Sequence, residues 1–191
     1  MARSYTLKRR AQSQAETRLR IVEAAVKLHG TVGPAHTSIS MVAQEAGVQR
    51  HTFYAHFPDE RSLLMACSGL SVERDPMPDA APWRGIADRH ERLGVGLGAI
   101  YTWYERNAGL LSCVLRDMEH HALVKEVSEL RYGPFFAAYH QVLGAKLNGK
   151  QRAMLQLALN FFTWRSLTQG SGLSRAAAVA AMVAAIDPKA D

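Results

Sequence analysis

The amino-acid sequence predicts an all-α protein, with a small N-terminal helical domain followed by a larger C-terminal helical domain. Apolar residues recur along most of the chain at the three- and four-residue spacing of an amphipathic helix. Glycines and prolines fall mainly between these periodic segments, where they mark turns. The stretch SVERDPMPDAAP, residues 71–82, contains three prolines and separates short helical segments from longer ones.

These observations divide the 191 residues into four parts. We expect a basic flexible arm over residues 1–12, a three-helix domain over 13–57, a connecting helix and linker over 58–82, and a longer helical domain over 83–191. A chain of this length has room for one ample domain or two small ones.

The first helix is predicted to run from Ser13 to about residue 31. Ser13 and Glu16 have the spacing of a capping box, in which each side chain bonds the other's backbone N–H. Glycine and proline within 30–34 end this helix. Thr37 is the expected N-cap of a second helix, and Gly47 supplies the left-handed residue that ends it.

A short third helix follows, anchored by Val48, Phe53 and Phe57. Asp59 is the expected cap of a fourth helix. One face of that fourth helix carries Leu63, Leu64, Cys67 and Leu70.

Longer helices are predicted beyond the proline-rich linker. They cover 83–107, a shorter segment over 109–119, and 122–147 with a kink at Gly133-Pro134. The segment 151–169 is apolar on nearly all sides, which predicts burial on several sides. A last helix, SRAAAVAAMVAAI, begins after Gly172.

The net charge of +6 is concentrated at the N-terminus, where residues 1–20 hold six basic residues and one acid. Such a cluster is either a contact for a polyanion or a solvated tail. No apolar run is long enough to span a membrane, and no apolar core of a secretory signal follows the basic start. Cys67 and Cys113 lack metal-ligand spacing, which favours a reducing compartment and a cytoplasmic location.

The motifs of common enzyme classes are missing from the sequence. It contains no G-x-S-x-G nucleophile elbow, no H-E-x-x-H zinc motif and no phosphate-binding glycine loop. His120 and His121 are adjacent on a helix and diverge by about 100°, so they do not face one metal ion. We therefore expect no enzyme, no catalytic residue, no metal and no cofactor.

The second helix, the glycine turn and the third helix form a predicted helix-turn-helix. In that motif the second helix enters the DNA major groove and its first residues meet base edges. Its polar side chains are expected to face outward, namely Gln49, Arg50, His51, Thr52, Tyr54 and His56.

Arginine bonds guanine and glutamine bonds adenine through paired hydrogen bonds worth roughly 1–3 kcal/mol each, which assigns base reading to Arg50 and Gln49. Thr52, Tyr54 and His56 suit phosphate oxygens. The alternative interpretation is a polar surface helix without a partner.

At these residues the sequence resembles the N-terminal domain of the tetracycline-repressor-type (TetR/AcrR) regulators. The resemblance covers about residues 13–70 and includes TRLRIVEAAVKLHG and TSISMVAQEAGVQRHTFYAHFPDERSLL. The matching positions are Thr37, Ile39, Val42, Ala43, Ala46, Gly47, Val48, Thr52, Phe53, Tyr54, Phe57, Leu63 and Leu64.

The resemblance implies a homodimeric transcription regulator whose recognition-helix contacts are the six polar residues named above. It also implies that Thr37 and Ser38 lie against a phosphate, since helix N-termini suit anions. Glu60 stands where many relatives carry a phosphate-binding lysine, so Arg61 is expected to replace it. The basic arm, with Lys8, Arg9 and Arg10, is expected to add contacts to the DNA.

The resemblance further implies a C-terminal domain that binds a small ligand and dimerises through its last two helices. Their apolar faces predict the same dimer, although they suit a monomer core as well. The expected dimer residues are Leu155, Phe162, Val179, Met182, Val183 and Ile186. Trp103, Phe136 and Tyr139 are the expected ligand contacts, with ordinary core packing as the alternative.

The sequence thus predicts a ligand-responsive regulator, in particular a repressor, located in the cytoplasm and associated with the nucleoid. Its expected partners are a pseudo-palindromic double-stranded DNA operator, a small hydrophobic or aromatic effector and a second copy of itself, with no membrane contact. A helical adaptor that does not bind DNA is the alternative, and a hydrolase is a further one.

Overall fold

The computed structural model describes residues 2–188, which form nine α-helices and no strand. The helices are α1 (Ala2–Thr31), α2 (Ile39–Glu45), α3 (Arg50–His56), α4 (Glu60–Arg74), α5 (Arg89–Met118), α6 (Ala122–Leu143), α7 (Gly149–Ala158), α8 (Phe161–Arg165) and α9 (Arg175–Ile186). Two 3₁₀ helices, Pro34–His36 and Ala81–Gly85, and a π-helical turn, Ser166–Gly170, complete the set. The predicted all-α class is confirmed.

The chain divides into two compact units. Unit 1 comprises Met1–Pro76 and Ser112–Arg131, and unit 2 comprises Met77–Leu111 and Tyr132–Asp191. Helices α5 and α6 contribute residues to both. This division differs from the expected one, in which all of 83–191 formed a single domain.

The core of unit 1 is built by α1 to α4. Apolar residues one helical turn apart on α1 pack against α2, α3 and α4. This cluster contains Ile21, Val22, Ala24, Ala25, Val42, Ala46, Phe53, Phe57, Leu63 and Cys67. A second cluster joins α4 to α6 through Leu64, Val124 and Val127.

Helix α1 is longer than the sequence analysis predicted. The flexible arm expected over 1–12 is wrong for residues 2–12, because these residues are helical. No glycine or proline occurs before Gly30, so nothing interrupts the helix. Ser13 and Glu16 lie inside α1 and do not cap it, and Glu16 accepts a hydrogen bond of 3.0 Å from Gln12 one turn away.

The predicted start of α4 is confirmed. The Asp59 carboxylate accepts a 2.7 Å hydrogen bond from the backbone N–H of Ser62, as an N-cap does. This bond holds the pKa of Asp59 below its usual value. The helix continues to Arg74, so the irregular linker is shorter than expected.

Unit 2 differs from the prediction in how its helices are divided. A single helix, α5, replaces the two segments expected over 83–107 and 109–119. The single helix expected over 151–169 is instead broken after Leu159, where the Asn160 side chain caps α8. Buried Tyr101 and Tyr104 donate to the carbonyls of Ala158 and Leu159, at 2.9 and 2.5 Å, and so bind the end of α7.

None of the helices within residues 2–188 is both long and apolar enough to cross a membrane.

Candidate nucleic-acid interface

Helices α2 and α3 are joined by a tight turn that forms a helix-turn-helix. Gly47 has φ +63°, the left-handed conformation that the sequence predicted. The Val48 N–H donates back to the Ala43 carbonyl at 2.9 Å and closes the end of α2. The turn therefore determines the direction in which α3 leaves α2.

One side of α3 is fixed in the core of unit 1. Phe53 and Phe57 are fully buried, and their ring centroids lie 5.9 Å apart. Val48, partly buried, packs against the same cluster. The predicted apolar anchors of α3 are thus confirmed.

The other side of α3 faces solvent. Gln49, Arg50 and His51 are exposed, and Tyr54 is 44% exposed although its ring contacts Phe53 edge-on. Thr52 and His56 complete this side and are half-buried. We call these six residues the recognition face; they are the residues predicted to contact DNA.

The N-terminal end of α3 has no side-chain cap. Gln49 occupies the N-cap position in an extended conformation, but its side chain makes no capping hydrogen bond. The Gln49 amide and the first free N–H groups of α3 therefore remain available to an anion.

The start of α2 differs in one residue from the prediction. Thr37 was expected as the N-cap, but Ser38 takes that position and its hydroxyl accepts from the Met41 N–H at 3.2 Å. Thr37 instead donates its hydroxyl to the Gly33 carbonyl at 2.7 Å, because the preceding 3₁₀ helix delays the start of α2. Ser38 is exposed and Thr37 half-buried.

Arg61 forms a salt bridge with an acidic residue of its own chain. Its guanidinium lies 2.9 Å from the Glu126 carboxylate on α6, and Glu60 lies 3.3 Å from His121. The sequence did not indicate that Glu126 pairs with Arg61, because the two residues are 65 positions apart in the chain. The positive charge of Arg61, a predicted phosphate contact, is therefore offset by Glu126 within unit 1.

The basic residues of the expected arm are carried by α1. Lys8, Arg9 and Arg10 are consecutive, and each is exposed. Consecutive residues on a helix point about 100° apart, so the three cations surround the helix and do not form one stripe.

Two further residues support this surface although the sequence analysis did not select them. The first is Arg18, whose guanidinium lies 4.7 Å from the ring centroid of Phe57 at the end of α3. Such a cation–π contact contributes about 0.5–1 kcal/mol at exposed sites. Nothing in the sequence pointed specifically to this contact, because Arg18 is only one of several basic residues in this part of the chain.

The second is Asp117, a carboxylate that is 3% exposed and holds the connection between α1 and α2. It accepts the Ala35 N–H at 2.9 Å and the Arg116 Nε–H at 2.8 Å. Arg116 also donates to the Val32 carbonyl at 2.9 Å. Gly33, with φ +100°, passes so close that a Cβ there would collide with the Asp117 carboxylate.

The pKa values of Asp117 and His29 are both lowered in unit 1, for different reasons. Burial alone would raise the pKa of Asp117, but the hydrogen bonds from Arg116 and Ala35 outweigh burial and lower it. The imidazole of His29 is buried near the end of α1, and this burial lowers its pKa from 6.5 to about 4 despite the nearby Asp117 charge. His29 is therefore neutral at pH 7.

The predicted dimer residues lie mostly inside the protomer. Leu155, Met182, Val183 and Ile186 are buried in the core of unit 2, which leaves little of these four side chains exposed to a second copy. An apolar stripe on a helix does not indicate which surface covers it. Here the stripe is covered by the rest of unit 2. Of the six, only Phe162, 36% exposed, and half-buried Val179 remain accessible to a second copy.

The predicted ligand contacts also belong to the packed interior of unit 2. Trp103 is 3% exposed, and Tyr139 is fully buried with its hydroxyl donating to the Pro78 carbonyl. Phe136 is half-buried against Tyr139. The space expected beside Gly96 is filled, since a Cβ there would lie 2.6 Å from the Leu143 side chain.

No group of three or more His, Cys, Asp and Glu side chains in the described part of the chain is arranged to hold a metal ion. His121 is instead engaged with Glu60, and it also accepts the Val124 N–H at 3.4 Å.

The chain is similar to known proteins in part of its sequence and in its fold. Residues 21–67 match the family model described as bacterial regulatory proteins, tetR family. The matched residues include the helix-turn-helix and most of the unit 1 core. No curated protein is significantly similar to the chain.

Several solved structures share the fold over nearly the whole chain. A HlyIIR mutant with a substituted linker has a TM-score of 0.67 at 16% identity and covers 93% of this chain and 99% of its own. The fatty acid degradation regulator FadR from Bacillus halodurans has a TM-score of 0.62 at 14% identity and covers 90% and 95%. A tetR-family transcriptional regulator from Streptomyces coelicolor has a TM-score of 0.56 at 19% identity and covers 88% and 78%. Residues 21–67 therefore match the tetR family model, and the chain as a whole shares its fold with solved structures that include a tetR-family transcriptional regulator.

Proposed function

We propose that this protein is a ligand-responsive transcriptional repressor and not an enzyme, acting on DNA in the cytoplasm in association with the nucleoid. The recognition face carries the proposal. It holds Arg50, His51 and Tyr54 in solvent while Phe53 and Phe57 fix the other side of α3. An arginine and a glutamine at the start of a rigid helix are suited to read base edges in the major groove.

Within this proposal the chain is assigned three roles. Residues 13–57 bind DNA, and residues 83–191 bind the effector and dimerise. Residues 58–82 form the helix and linker that connect these two domains. The basic residues Lys8, Arg9 and Arg10 extend the DNA contact along α1, which supports a steep loss of affinity with salt.

The operator is pseudo-palindromic if the protein acts as a homodimer. A two-fold dimer presents two copies of α3, which read half-sites about one helical turn, roughly 34–36 Å, apart or a multiple of that distance. The exposed apolar side chains Leu157 and Phe162 of unit 2 support a dimer contact on α7 and α8.

A small hydrophobic or aromatic effector is proposed to release the DNA. Unit 2 is rich in aromatic side chains, and two of its structural neighbours are described as fatty acid regulators. In this structure Trp103, Phe136 and Tyr139 are packed, so binding at those rings would require them to move.

The test is selection of bound fragments from a random DNA pool, followed by gel shift on the enriched sequence. Arg50→Ala is expected to weaken binding by roughly 1–3 kcal/mol and to relax preference at one base position per half-site. Arg175→Ala is the matched control, because Arg175 is exposed on α9 in unit 2 and pairs with Glu105. Enrichment of no sequence by the wild-type chain would favour the adaptor alternative.

A further inference from the structure

Unit 2 contains an open cavity of about 200 Å³ that combines two arginines with an apolar wall. Arg84 comes from the 3₁₀ helix Ala81–Gly85, and Arg92 comes from the first turns of α5. The rest of the lining is Gln141, Val142 and Ala145. None of these residues was a candidate site residue in the sequence.

The two arginines have no acidic partner. In the described part of the chain, no carboxylate lies within 4.0 Å of either guanidinium. Two other arginines of unit 2 are paired with acids, Arg89 with Asp187 and Arg175 with Glu105. The cavity is therefore a site of uncompensated positive charge.

The hydrogen-bonding capacity of these arginines is only partly used. Arg84 Nη2 donates to Gln141 Oε1 at 3.0 Å, and Arg92 Nη1 donates to the Ile86 carbonyl at 2.7 Å. Arg92 Nε is buried and has no partner among the described residues. Since a guanidinium carries five N–H donors, both side chains retain donors for an anion.

We propose that this cavity binds the carboxylate of a small organic acid, with Arg92 as its principal partner and Arg84 adding charge. A planar guanidinium matches a carboxylate through two parallel hydrogen bonds. Val142 and Ala145 provide apolar contact for the remainder of the acid, which favours an organic acid over inorganic phosphate. The inference rests on the proposed function only in identifying this acid as the effector.

The test is isothermal titration calorimetry on the full chain without DNA. The probes are benzoate and hexanoate, each compared with its uncharged amide, and inorganic phosphate. At least one of the acids is expected to bind with a Kd below about 1 mM. It is expected to bind about tenfold more tightly than its amide and than phosphate, since the amide lacks the charge and phosphate lacks the apolar part.

Variants identify the site. Arg92→Gln is expected to weaken binding of that acid at least about tenfold, Arg84→Gln less, and the matched control Arg175→Gln not at all. Circular dichroism checks that each variant folds. If Arg92→Gln does not fold, the affinity of Arg84→Gln for the acid decides whether the cavity is the binding site.

Three results would overturn the proposal. They are no binding by either acid, equal binding of acid and amide or of acid and phosphate, and unchanged binding in the folded variants that lack the cavity arginines. Because the titration contains no DNA, a failure to bind DNA would not alter its outcome.

Discussion

Burial of His29 makes the stability of unit 1 depend on pH in a way that can be measured. The imidazole is 6% exposed, and its pKa falls from 6.5 in an unfolded chain to about 4 in the folded protein. Between these two values the unfolded chain binds a proton that the folded chain does not. Folding stability is therefore complete above pH 6.5 and decreases as the pH falls toward 4.

The magnitude follows from the shift. Each unit of pKa corresponds to 1.36 kcal/mol, so the shift represents about 3 kcal/mol when the pH lies below both values. Over the experimentally convenient step from pH 7.5 to pH 5.0, His29 is expected to remove about 2 kcal/mol. Asp117 adds little in this window, because its pKa is lowered from 3.8 and lies below it.

The assay is urea unfolding of wild type and His29→Gln at both pH values, followed by far-UV circular dichroism. Glutamine replaces the imidazole with a side chain that does not titrate, so the variant is expected to lose about 2 kcal/mol less than wild type over this step. Trp83, Trp103 and Trp164 all lie in unit 2, so tryptophan fluorescence of the same samples reports that unit separately. If both proteins lose the same stability between the two pH values, the burial argument fails.

Three other substitutions test the recognition face and the residues that support it. Gly47→Ala places a side chain at φ +63°, where nothing lies within 4 Å, so backbone strain alone should cost about 1 kcal/mol of unfolding free energy in urea titrations. Asp117→Asn should cost about 1–3 kcal/mol, because it removes the buried carboxylate that binds Ala35 and Arg116; unchanged stability would show the contact to be dispensable. Tyr54→Phe should weaken gel shifts of all sequences to a similar extent, as loss of a phosphate contact does, and a selective loss at one base would contradict that role.

The parts of this fold that the sequence predicted are those set by neighbouring residues. Gly47 ends α2, Asp59 begins α4, and Phe53 and Phe57 bury one side of α3, because caps and helical spacing act within one or two turns. The recognition face was inferred from the same spacing, since the residues left over by the apolar anchors had to face outward.

The parts that the sequence did not predict depend on residues far apart in the chain. Asp117 reaches Ala35 across 82 residues, and Tyr101 reaches the end of α7 across 57. The predicted dimer residue Ile186 and the predicted ligand contact Trp103 are buried within unit 2. Periodicity identifies an apolar face but does not identify the surface that covers it.

The claim that α3 reads the major groove is tested most directly by methylation interference on the selected operator. Methylation of guanine N7 blocks an arginine that bonds N7 and O6 in that groove. We predict one guanine per half-site whose methylation abolishes binding of the wild-type chain and has no effect on Arg50→Ala. The same interference pattern for both proteins, or none at any guanine, would contradict it.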